Sequence, residues 1–456
     1  MNEAQFPPDF FKNISGAPGF DLESFVKTHQ SEDAPTSIRL NPFKKTPIEY
    51  GQQVPWCESG YYLDTRPSFT FDPLFHAGGY YVQEASSMFI GHILKQIKPD
   101  DSIKVLDLCA APGGKSTLIS SLLNSDDLLV ANEIIKTRVP VLSDNLTKWG
   151  PANTIVTNND PKDFGRLKEF FDIIVVDAPC SGSGMFRKDP DAMSEWSESN
   201  VNLCHQRQER ILADVYPTLK EDGYLIYSTC SYSVEENENI LDWLCDEFDL
   251  ESTRIPIESD WGIVESQSEK HQAWGYRFYP GKVKGEGLFA ACLRKRENTG
   301  EMPNTKYKEQ QKANFKEIDL VKPYIKDADQ YYYFKVGHDW LTIDRTHKET
   351  LGILQQYLYI KKSGVRIGKM AGRDLIPDHE LALSLIINKD QFLQTELTKE
   401  QAIQYLRRDN ISNLDINDKG WSLMNYEGQA LGWAKLLPNR INNYYPKEIR
   451  IMTNPS

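Results

Sequence analysis

Two stretches of the chain place a cysteine just after an apolar run of strand length. Cys180 closes the sequence Asp177-Ala178-Pro179-Cys180 after residues 171–176, and Cys230 follows residues 224–227. A cysteine thiolate is a nucleophile, and two thiols at one edge of a sheet could share a reaction. A lone cysteine is more often a small buried hydrophobe, so chemistry is favoured only if a ligand site lies beside the pair.

A glycine-rich turn follows the first strand of a regular pattern, with the sequence Asp107-Leu108-Cys109-Ala110-Ala111-Pro112-Gly113-Gly114-Lys115-Ser116. Glycine at such a turn lets the backbone approach a ligand, and the helix start offers unpaired N–H groups. A phosphate-binding loop of the form G-x-x-x-x-G-K-[ST] would need glycine where Cys109 stands, which disfavours that interpretation. The alternative is a nucleoside site of the Rossmann type.

Acidic residues at the ends of successive strands favour the nucleoside site. Glu133 follows the second strand, about 20 residues beyond the glycines, where a carboxylate can bond ribose hydroxyls. Asp160 follows the third strand, where it could meet an adenine edge. Each acid alone is more often a solvated loop residue. Together with Asp107, however, they place three acids at three successive strand ends.

The elements that must position these residues alternate between strands and helices. Strands are predicted at 103–108, 128–132, 154–157, 172–176, 224–227 and 289–293, and helices at 115–123, 136–149 and about 198–219. Near-continuous apolar strands separated by helices are typical of a parallel sheet covered on both faces. We therefore predict a doubly wound α/β domain that binds its ligands at the carboxyl ends of the strands.

The flanking segments have a different character. Residues 1–95 form an N-terminal lobe, with a strand end at 37–41 and a strand leading into a helix at 76–88. Residues 296–318 are polar and are predicted to be a linker. The C-terminal region, 319–456, contains β-like runs at 331–336, 353–360, 421–426 and 430–435, and a basic loop at 361–369. A helix is predicted to begin at Thr398, with Gln401 as its capping-box partner.

Composition narrows the classes of protein. At 456 residues, two to four domains are expected. The seven cysteines include no CxxC pair or zinc-ligand spacing, which argues against a disulfide framework and a metal site. No run approaches the roughly 20 apolar residues of a membrane span, and the start lacks signal-peptide features, so a cytoplasmic protein is expected.

The net charge of −13 is uneven: residues 301–456 carry 23 Lys+Arg against 20 Asp+Glu. Local patches therefore decide whether nucleic acid binds.

The motifs together resemble a known family. Residues 108–115, Asp177-Ala178-Pro179-Cys180-Ser181-Gly182 and Ser228-Thr229-Cys230-Ser231, followed by residues 235–238, are similar to those of the Sun-type RNA cytosine-carbon-5 methyltransferases, and more narrowly of the bacterial RsmF-like group that acts on 16S rRNA. The resemblance is strong over about 35–293 and weaker in the tail. Ser231 stands where Thr is commoner, and Asp222 where the first of two glycines is usual; neither change should affect the chemistry.

The resemblance implies a Rossmann-like class I S-adenosylmethionine methyltransferase domain at 96–295, an RNA-binding N-terminal lobe and a PUA-like RNA-binding end. It makes Cys230 the nucleophile and Cys180 an aid to product release, with Asp177 facing the base and the methyl donor. The partner implied is ribosomal RNA, alone or in the small subunit, and the protein is expected to be monomeric. The residues implied to surround S-adenosylmethionine are Cys109, Ala110, Ala111, Pro112, Gly113, Gly114, Lys115, Glu133, Asp160 and Asp177.

The chemistry of cytosine explains the use of two thiols. Carbon 5 is a poor nucleophile, but a thiolate added at carbon 6 turns the ring into an enamine that can attack a sulfonium methyl group. A base must then remove the carbon 5 proton so that the sulfur can leave. The target base must be flipped out or presented from a single strand, because a stacked base cannot react.

Candidate RNA contacts lie outside this core. Arg187 and Lys188, beside Cys180, are predicted to contact phosphate near the target. Two basic stretches and three aromatic residues could hold the surrounding RNA, although a solvated face and a small core explain them equally well. They are residues 361–369, Arg407, Arg408, Trp433, Tyr444 and Tyr445. The other functions considered are a non-catalytic ribosome-assembly factor, a tRNA methyltransferase and a DNA methyltransferase.

Overall fold

A computed structural model describes residues 6–31, 34–47, 51–301, 315–412, 414, 418–438 and 440–453 of the chain. The N-terminal lobe contains an antiparallel sheet of four strands in the order β2-β3-β1-β4. As predicted, a strand near 80 leads towards a helix. The elements of the lobe are α1 (Phe10–Ile14), α2 (Leu22–Ser31), β1 (Thr36–Leu40), β2 (Gln53–Val54), β3 (Cys57–Leu63), α3 (Pro73–His76), β4 (Tyr80–Val82) and α4 (Phe89–Ile97).

The central domain is built on a larger sheet whose middle is parallel. Its elements are β5 (Lys104–Asp107), α5 (Gly114–Ser120), β6 (Leu128–Asn132), α6 (Val139–Trp149), β7 (Thr154–Thr157), α7 (Pro161–Phe164), β8 (Phe171–Asp177), α8 (Pro190–Glu195), α9 (Glu198–Val215), β9 (Leu219–Thr229), α10 (Glu238–Glu247), β10 (Leu250–Ser252), β11 (Val264–Gln267), β12 (Trp274–Phe278) and β13 (Leu288–Lys295). Strands β7, β6, β5, β8 and β9 lie side by side and are parallel, and β13 is antiparallel to β9. The predicted doubly wound α/β domain is confirmed.

Burial explains why these runs form a covered sheet. All residues of β6 and β7 are buried, so both faces of these strands pack against other elements. One core includes Val105, Leu129 and Ile173, and the other includes Leu106, Val130 and Ile174. Alternate residues of each strand therefore feed opposite layers. The order β6-β5-β8 reverses the direction of winding at β5, which is where such sheets bind ligands.

The C-terminal region differs from the prediction in two places. Residues 353–360 were predicted to be β-like, but they fall largely in a helix that buries Leu351 and Leu354 on one face, with Leu358 directly after it. Residues 361–369 are two strands, not a loop. The elements are α11 (Phe315–Val321), β14 (Tyr331–Val336), β15 (Asp339–Asp344), α12 (Lys348–Tyr357), β16 (Ile360–Ser363), β17 (Val365–Ala371), β18 (Asp374–Pro377), α13 (His379–Leu383), β19 (Leu393–Glu396), α14 (Lys399–Arg407), β20 (Gly420–Tyr426), β21 (Gln429–Leu437) and β22 (Arg440–Asn443).

Two further observations refine the predicted domain boundaries. Helix α11 begins inside the segment predicted to be a linker, of which residues 302–314 lie outside the described part of the chain. Strand β16 pairs with β7, so the C-terminal region completes one edge of the central sheet.

The capping box of Thr398 and Gln401 is present at the start of α14. Among the described residues, no helix has the length and apolar character of a membrane span.

One departure from the family pattern has a visible backbone setting. Asp222 lies in β9, where the pairing with β8 shifts register, and has a φ of 62°, in the left-handed region that glycine adopts most easily. Asp tolerates this region better than most residues do. Asp222 therefore adopts a backbone conformation that glycine adopts easily.

Candidate active site

The predicted site residues gather at one rim of the central sheet. Asp107 ends β5 and Asp177 ends β8. Glu133 directly follows β6, and Asp160 lies three residues after the end of β7. Cys230 follows β9, where Asp177 pairs in register with Ser228. The parallel strands thus carry all five residues to their carboxyl ends.

The two thiols are in direct contact. The Sγ atoms of Cys180 and Cys230 are 3.0 Å apart, and both cysteines are free. The predicted convergence of the two cysteines is therefore confirmed. The hydrogen bond with Cys230, and then burial, raise the pKa of Cys180 well above its ordinary value. Cys180 consequently keeps its proton and can donate it in the hydrogen bond to Cys230.

A buried carboxylate joins the loops that carry the thiols. Glu236 accepts hydrogen bonds from the backbone N–H of Ser181 at 2.8 Å, from the Ser181 hydroxyl at 2.5 Å and from the Ser231 hydroxyl at 2.6 Å. Gln208 also donates to it, at 3.1 Å. Burial raises the pKa of Glu236, and the hydrogen bonds from the two serines oppose that effect. Each serine directly follows a thiol, so this one side chain fixes the spacing of the pair.

Glu236 belongs to a motif noted in the sequence, residues 235–238, but no role was predicted for it. The signal was its place six residues after Cys230, within a motif that the family shares. A second bridge between the loops is the bond from the N–H of Gly184 to the Cys230 carbonyl, at 2.7 Å. A side chain at Gly184 would meet that carbonyl, since an added Cβ would lie 2.8 Å from its oxygen. The backbones can approach this closely only because residue 184 is glycine.

Asp177 connects the thiols with the glycine-rich turn. Its carboxylate pairs with the Lys115 ammonium at 2.8 Å and accepts from the Ser228 hydroxyl at 2.9 Å. Burial lowers the pKa of Lys115, but the Asp177 carboxylate outweighs burial and raises that pKa overall. Lys115 therefore stays charged at the centre of the rim.

The glycine-rich turn lies beside two buried carboxylates. Gly113 has φ of 112°, which lets the chain turn from the strand end into α5. Burial raises the pKa of Asp107 to about 7, although the Ser116 hydroxyl opposes this by donating to Oδ2 at 2.6 Å. Asp107 Oδ1 has no hydrogen-bond partner among the described residues. Glu133 accepts the Ile135 N–H at 2.7 Å and keeps further acceptor capacity. Spare acceptors beside an open backbone turn fit a cationic, hydroxyl-bearing nucleoside.

Asp160 is the least committed of the predicted cofactor residues. It caps α7 by accepting the Lys162 N–H at 3.2 Å, and it lies 3.5 Å from Arg210. Both contacts would exist in a purely structural acid. The position agrees with the prediction, and its role towards the cofactor stays a prediction.

A cleft of about 880 Å³ opens between the N-terminal lobe and the Cys180 loop, lined by Arg66, Gln83 and Lys188 among others. Arg187 does not present its charge there as predicted. It forms a buried ion pair with Glu286 at 3.0 Å and donates to the Gly285 carbonyl. Lys188 is exposed and lines the cleft, and its contact with phosphate stays a prediction.

The lobe and the glycine-rich turn are joined by a buried arginine. Arg39 donates to Gln83 at 2.7 Å and to Thr117 at 2.6 Å, and it lies 4.4 Å from the ring of Trp149. Burial lowers the pKa of Arg39 to about 10. The wall of the cleft is therefore held against α5, the helix that the turn leads into.

The other predicted RNA contacts are mostly internal. Lys362 pairs with Glu380, and Arg366 pairs with Asp339 at 2.8 Å. The rings of Trp433 and Tyr445 are buried, and Arg407 and Arg408 bond carbonyls of the tail. Trp433 and Tyr445 belong to a small core, as the alternative interpretation predicted. Contact of the basic side chains with RNA stays a prediction. Tyr444 remains exposed.

The fold and the rim define a class I S-adenosylmethionine-dependent methyltransferase. Three family models match the chain: the N-terminal domain of 16S rRNA methyltransferase RsmF over residues 6–85, 16S rRNA methyltransferase RsmB/F over 94–294, and the RsmF PUA domain over 392–451. The ribosomal RNA small subunit methyltransferase F of Aliivibrio fischeri is 31% identical over 444 residues, covering 91% of this chain and 90% of the relative. That of Psychromonas ingrahamii is 30% identical over 480 residues and covers 98% of each.

Solved structures show the same fold. A methyltransferase homolog from Pyrococcus horikoshii has a TM-score of 0.54 at 26% identity, covering 65% of this chain and all (100%) of that one. NSun6 from Pyrococcus horikoshii, solved with SFG, has a TM-score of 0.53 at 20% identity, covering 64% and 99%. The chain belongs to the 16S rRNA methyltransferase RsmB/F family. It is an S-adenosylmethionine-dependent enzyme of the family that methylates carbon 5 of cytosine in ribosomal RNA.

Proposed function

We propose that this enzyme methylates carbon 5 of a cytosine in 16S rRNA through a covalent bond between Cys230 and carbon 6. The observation that carries the assignment is the thiol pair, with Cys180 and Cys230 3.0 Å apart beside the Asp177–Lys115 ion pair. If the same two thiols lay away from a ligand-binding site, a structural role would be favoured. Their place next to Asp107 and Glu133 supports chemistry.

Within the pair, Cys230 is the nucleophile. Cys180 retains its proton because of its hydrogen bond with Cys230 and its burial, which raise its pKa. A protonated neighbour stabilises a thiolate by donating a hydrogen bond to it. In this proposal the cysteine of the Ser228-Thr229-Cys230 motif, Cys230, is the sulfur that adds to carbon 6, as the family resemblance implies. Elimination releases the carbon 5 proton to solvent water and breaks the carbon–sulfur bond, whose electron pair returns to the Cys230 sulfur. The Cys180 thiol donates a hydrogen bond to that departing sulfur, which helps the product leave.

Asp177 and Lys115 act on the base between the thiols and the cofactor. Asp177 hydrogen-bonds the cytosine ring, and the Lys115 ammonium offsets charge as the ring gains electrons. S-adenosylmethionine supplies the electrophilic methyl group on its sulfonium. The turn from Cys109 through Ala110, Ala111, Pro112, Gly113 and Gly114 to Lys115 holds the cofactor together with Glu133, Asp160 and Asp177. The fixed rim positions the two reactants, which is a large part of such catalysis.

The RNA enters by the cleft between the N-terminal lobe and the Cys180 loop. Its volume of about 880 Å³ and the exposed Lys188 suit a nucleotide presented from a single strand or loop. The substrate is 16S rRNA, free or within the small subunit, and the enzyme acts as a monomer in the cytoplasm. Gly114 borders Tyr81 and Gln83 of the lobe, so the cleft lies against the cofactor turn.

Methyl transfer from tritiated S-adenosylmethionine to 16S rRNA and to isolated small subunits tests the proposal. Wild type transfers label, and Cys230→Ala loses at least about a thousandfold in rate, because the covalent route is removed. Cys245→Ala, a thiol on α10 outside the rim, is the matched control and keeps full activity. Full activity in Cys230→Ala would sink the assignment of the nucleophile. RNA binding with no transfer to any RNA would instead favour an assembly factor.

A further inference from the structure

A second charged site lies away from the thiols. A cavity of about 280 Å³ is formed where the loop after β1, the segment around α13 and the turn between β20 and β21 meet. Among its lining residues are four lysines and no aspartate or glutamate. The lysines are Lys44, Lys45, Lys326 and Lys389.

The charge of this cavity is not balanced by carboxylates. The Nζ of Lys44 donates to the carbonyls of Ala77, at 2.8 Å, and Lys148, at 2.6 Å. Burial, and then the charge of Lys389, lower the pKa of Lys44 to about 7. Burial, and then the charge of Lys326, lower the pKa of Lys389, and Glu396 offsets this only in part. The amines are therefore close enough to repel one another.

Other lysines of the same region show what a balanced arrangement looks like. Lys362 is buried, but its ammonium pairs with Glu380. Among the described residues, none of the four cavity lysines forms an ion pair. Lys44 and Lys389 are partly buried, and Lys45 and Lys326 are exposed. A partly buried ammonium without a counter-charge is unfavourable, and an anion in the cavity would relieve that cost.

We propose that this cavity binds a phosphodiester group of the RNA substrate. The inference rests on the proposed function, since it takes ribosomal RNA as the partner. Ammonium groups recognise phosphate as point charges and without regard to base sequence. The contact would contribute affinity and register and would leave the choice of base to the rim.

The position of the cavity explains what such a contact would do. Lys44 and Lys45 belong to the N-terminal lobe, and the lining residues Gln429 and Ala430 belong to the stretch that matches the RsmF PUA domain. Asn41, in the same loop as Lys44, donates to the Trp149 carbonyl, and Trp149 stacks with Arg39. A phosphate held here would be fixed relative to the helix that carries the cofactor turn.

The test uses the full-length enzyme and a 16S rRNA transcript. Binding is measured by fluorescence anisotropy across a range of KCl concentrations for wild type and for the double variant Lys326→Glu, Lys389→Glu. We expect about tenfold weaker binding at low salt and a plot of log Kd against log salt that is shallower by about one, as for one lost phosphate contact. Lys168→Glu, an exposed lysine before β8 at the opposite rim, is the matched control and binds like wild type.

An unchanged affinity and slope in the double variant, in an enzyme that still methylates RNA, would overturn the phosphate site while leaving the proposed function intact. A wild type that binds RNA through these lysines but transfers no methyl group would overturn the proposed function and leave the site intact. If charge reversal prevents folding, as judged by Tm, Lys326→Gln, Lys389→Gln replaces it with the same expected direction. Calorimetry with inorganic phosphate separates the sources: phosphate binding without any effect on RNA binding overturns the RNA assignment.

Discussion

The rim of the central sheet and the lysine cavity treat buried charge in opposite ways. At the rim, Asp177 is paired with Lys115, and Glu236 collects four donors from its own chain. In the cavity, Lys44 finds only backbone carbonyls, and Lys389 faces other amines. The rim is thus electrostatically nearly complete, whereas the cavity needs an anion from outside.

This difference separates two kinds of function. Groups that are held by internal partners are preorganised, which favours the rate of a chemical step. Groups that lack partners gain most when a ligand arrives, which favours binding. Variants at the rim should therefore lower turnover with little effect on RNA affinity, and variants at the cavity should lower RNA affinity.

After Cys230→Ala, the largest expected effect at the rim comes from Cys180→Ala. Without the thiol that donates to the departing sulfur, the Cys230–cytosine bond forms but breaks slowly. We expect a covalent protein–RNA complex that migrates as a shifted band on a denaturing gel, with turnover lower by about 10²–10⁴-fold. Cys180→Ala, Cys230→Ala supplies the control, because it cannot form the bond. Wild-type turnover without a shifted band would remove the release role.

A smaller loss of turnover is expected from Glu236→Gln. One amide oxygen cannot accept the four donors that the carboxylate accepts, and each buried donor left unpaired costs about 1–3 kcal/mol. The thiol loops would shift, and a misplacement of about 1 Å can lower the rate about 100-fold.

The matched control for Glu236→Gln is Glu235→Gln. Among the described residues, the Glu235 carboxylate accepts a hydrogen bond only from Asn13, at 3.1 Å. We expect the turnover of Glu235→Gln to change less than about threefold, as for an ordinary substitution near the surface. Salt-dependent RNA binding should match wild type in both variants. Equal turnover in the two variants would show that Glu236 merely packs and does not position the thiols.

Local sequence patterns were sufficient to predict the strands that form the rim. The predicted strands at 128–132 and 154–157 have the bounds found for β6 and β7, because each is a short run buried on both faces. The order of strands then brings Cys180 and Cys230 together. The run at 353–360 was misread, since a short apolar run does not distinguish a buried strand from a helix face.

Charges were harder to place than strands. Arg187 meets Glu286, and Lys362 meets Glu380, so basic stretches that looked free are neutralised by acids distant in the chain. The cavity lysines come from segments around 44, 326 and 389, and their convergence follows only from packing. A sequence reports how much charge a segment carries, whereas the fold decides which charges remain without partners.

The smallest expected effect is a pH dependence of RNA binding. Burial and Lys389 lower the pKa of Lys44 to about 7, and a phosphate in the cavity would raise it towards the usual lysine value. Binding then takes up part of a proton above pH 7, so affinity falls as pH rises, by less than about tenfold in total between pH 7 and 9. The lowered pKa of Lys389 acts in the same direction. Two buried histidines nearby, His76 and His379, have pKa values of about 4 and 3 and do not titrate in this range.

Anisotropy titrations with the 16S rRNA transcript at pH 7, 8 and 9 measure this slope, and Lys44→Gln should flatten it while retaining N–H donors for the two carbonyls. The free enzyme should show the opposite trend. Between about pH 7 and the usual lysine pKa of about 10.4 the unfolded chain binds the extra proton, so the contribution of Lys44 to stability rises with pH. An RNA affinity that is level from pH 7 to 9 in wild type would mean that the Lys44 ammonium gains no counter-charge from the RNA. The cavity would then differ from the rim only in composition and not in function.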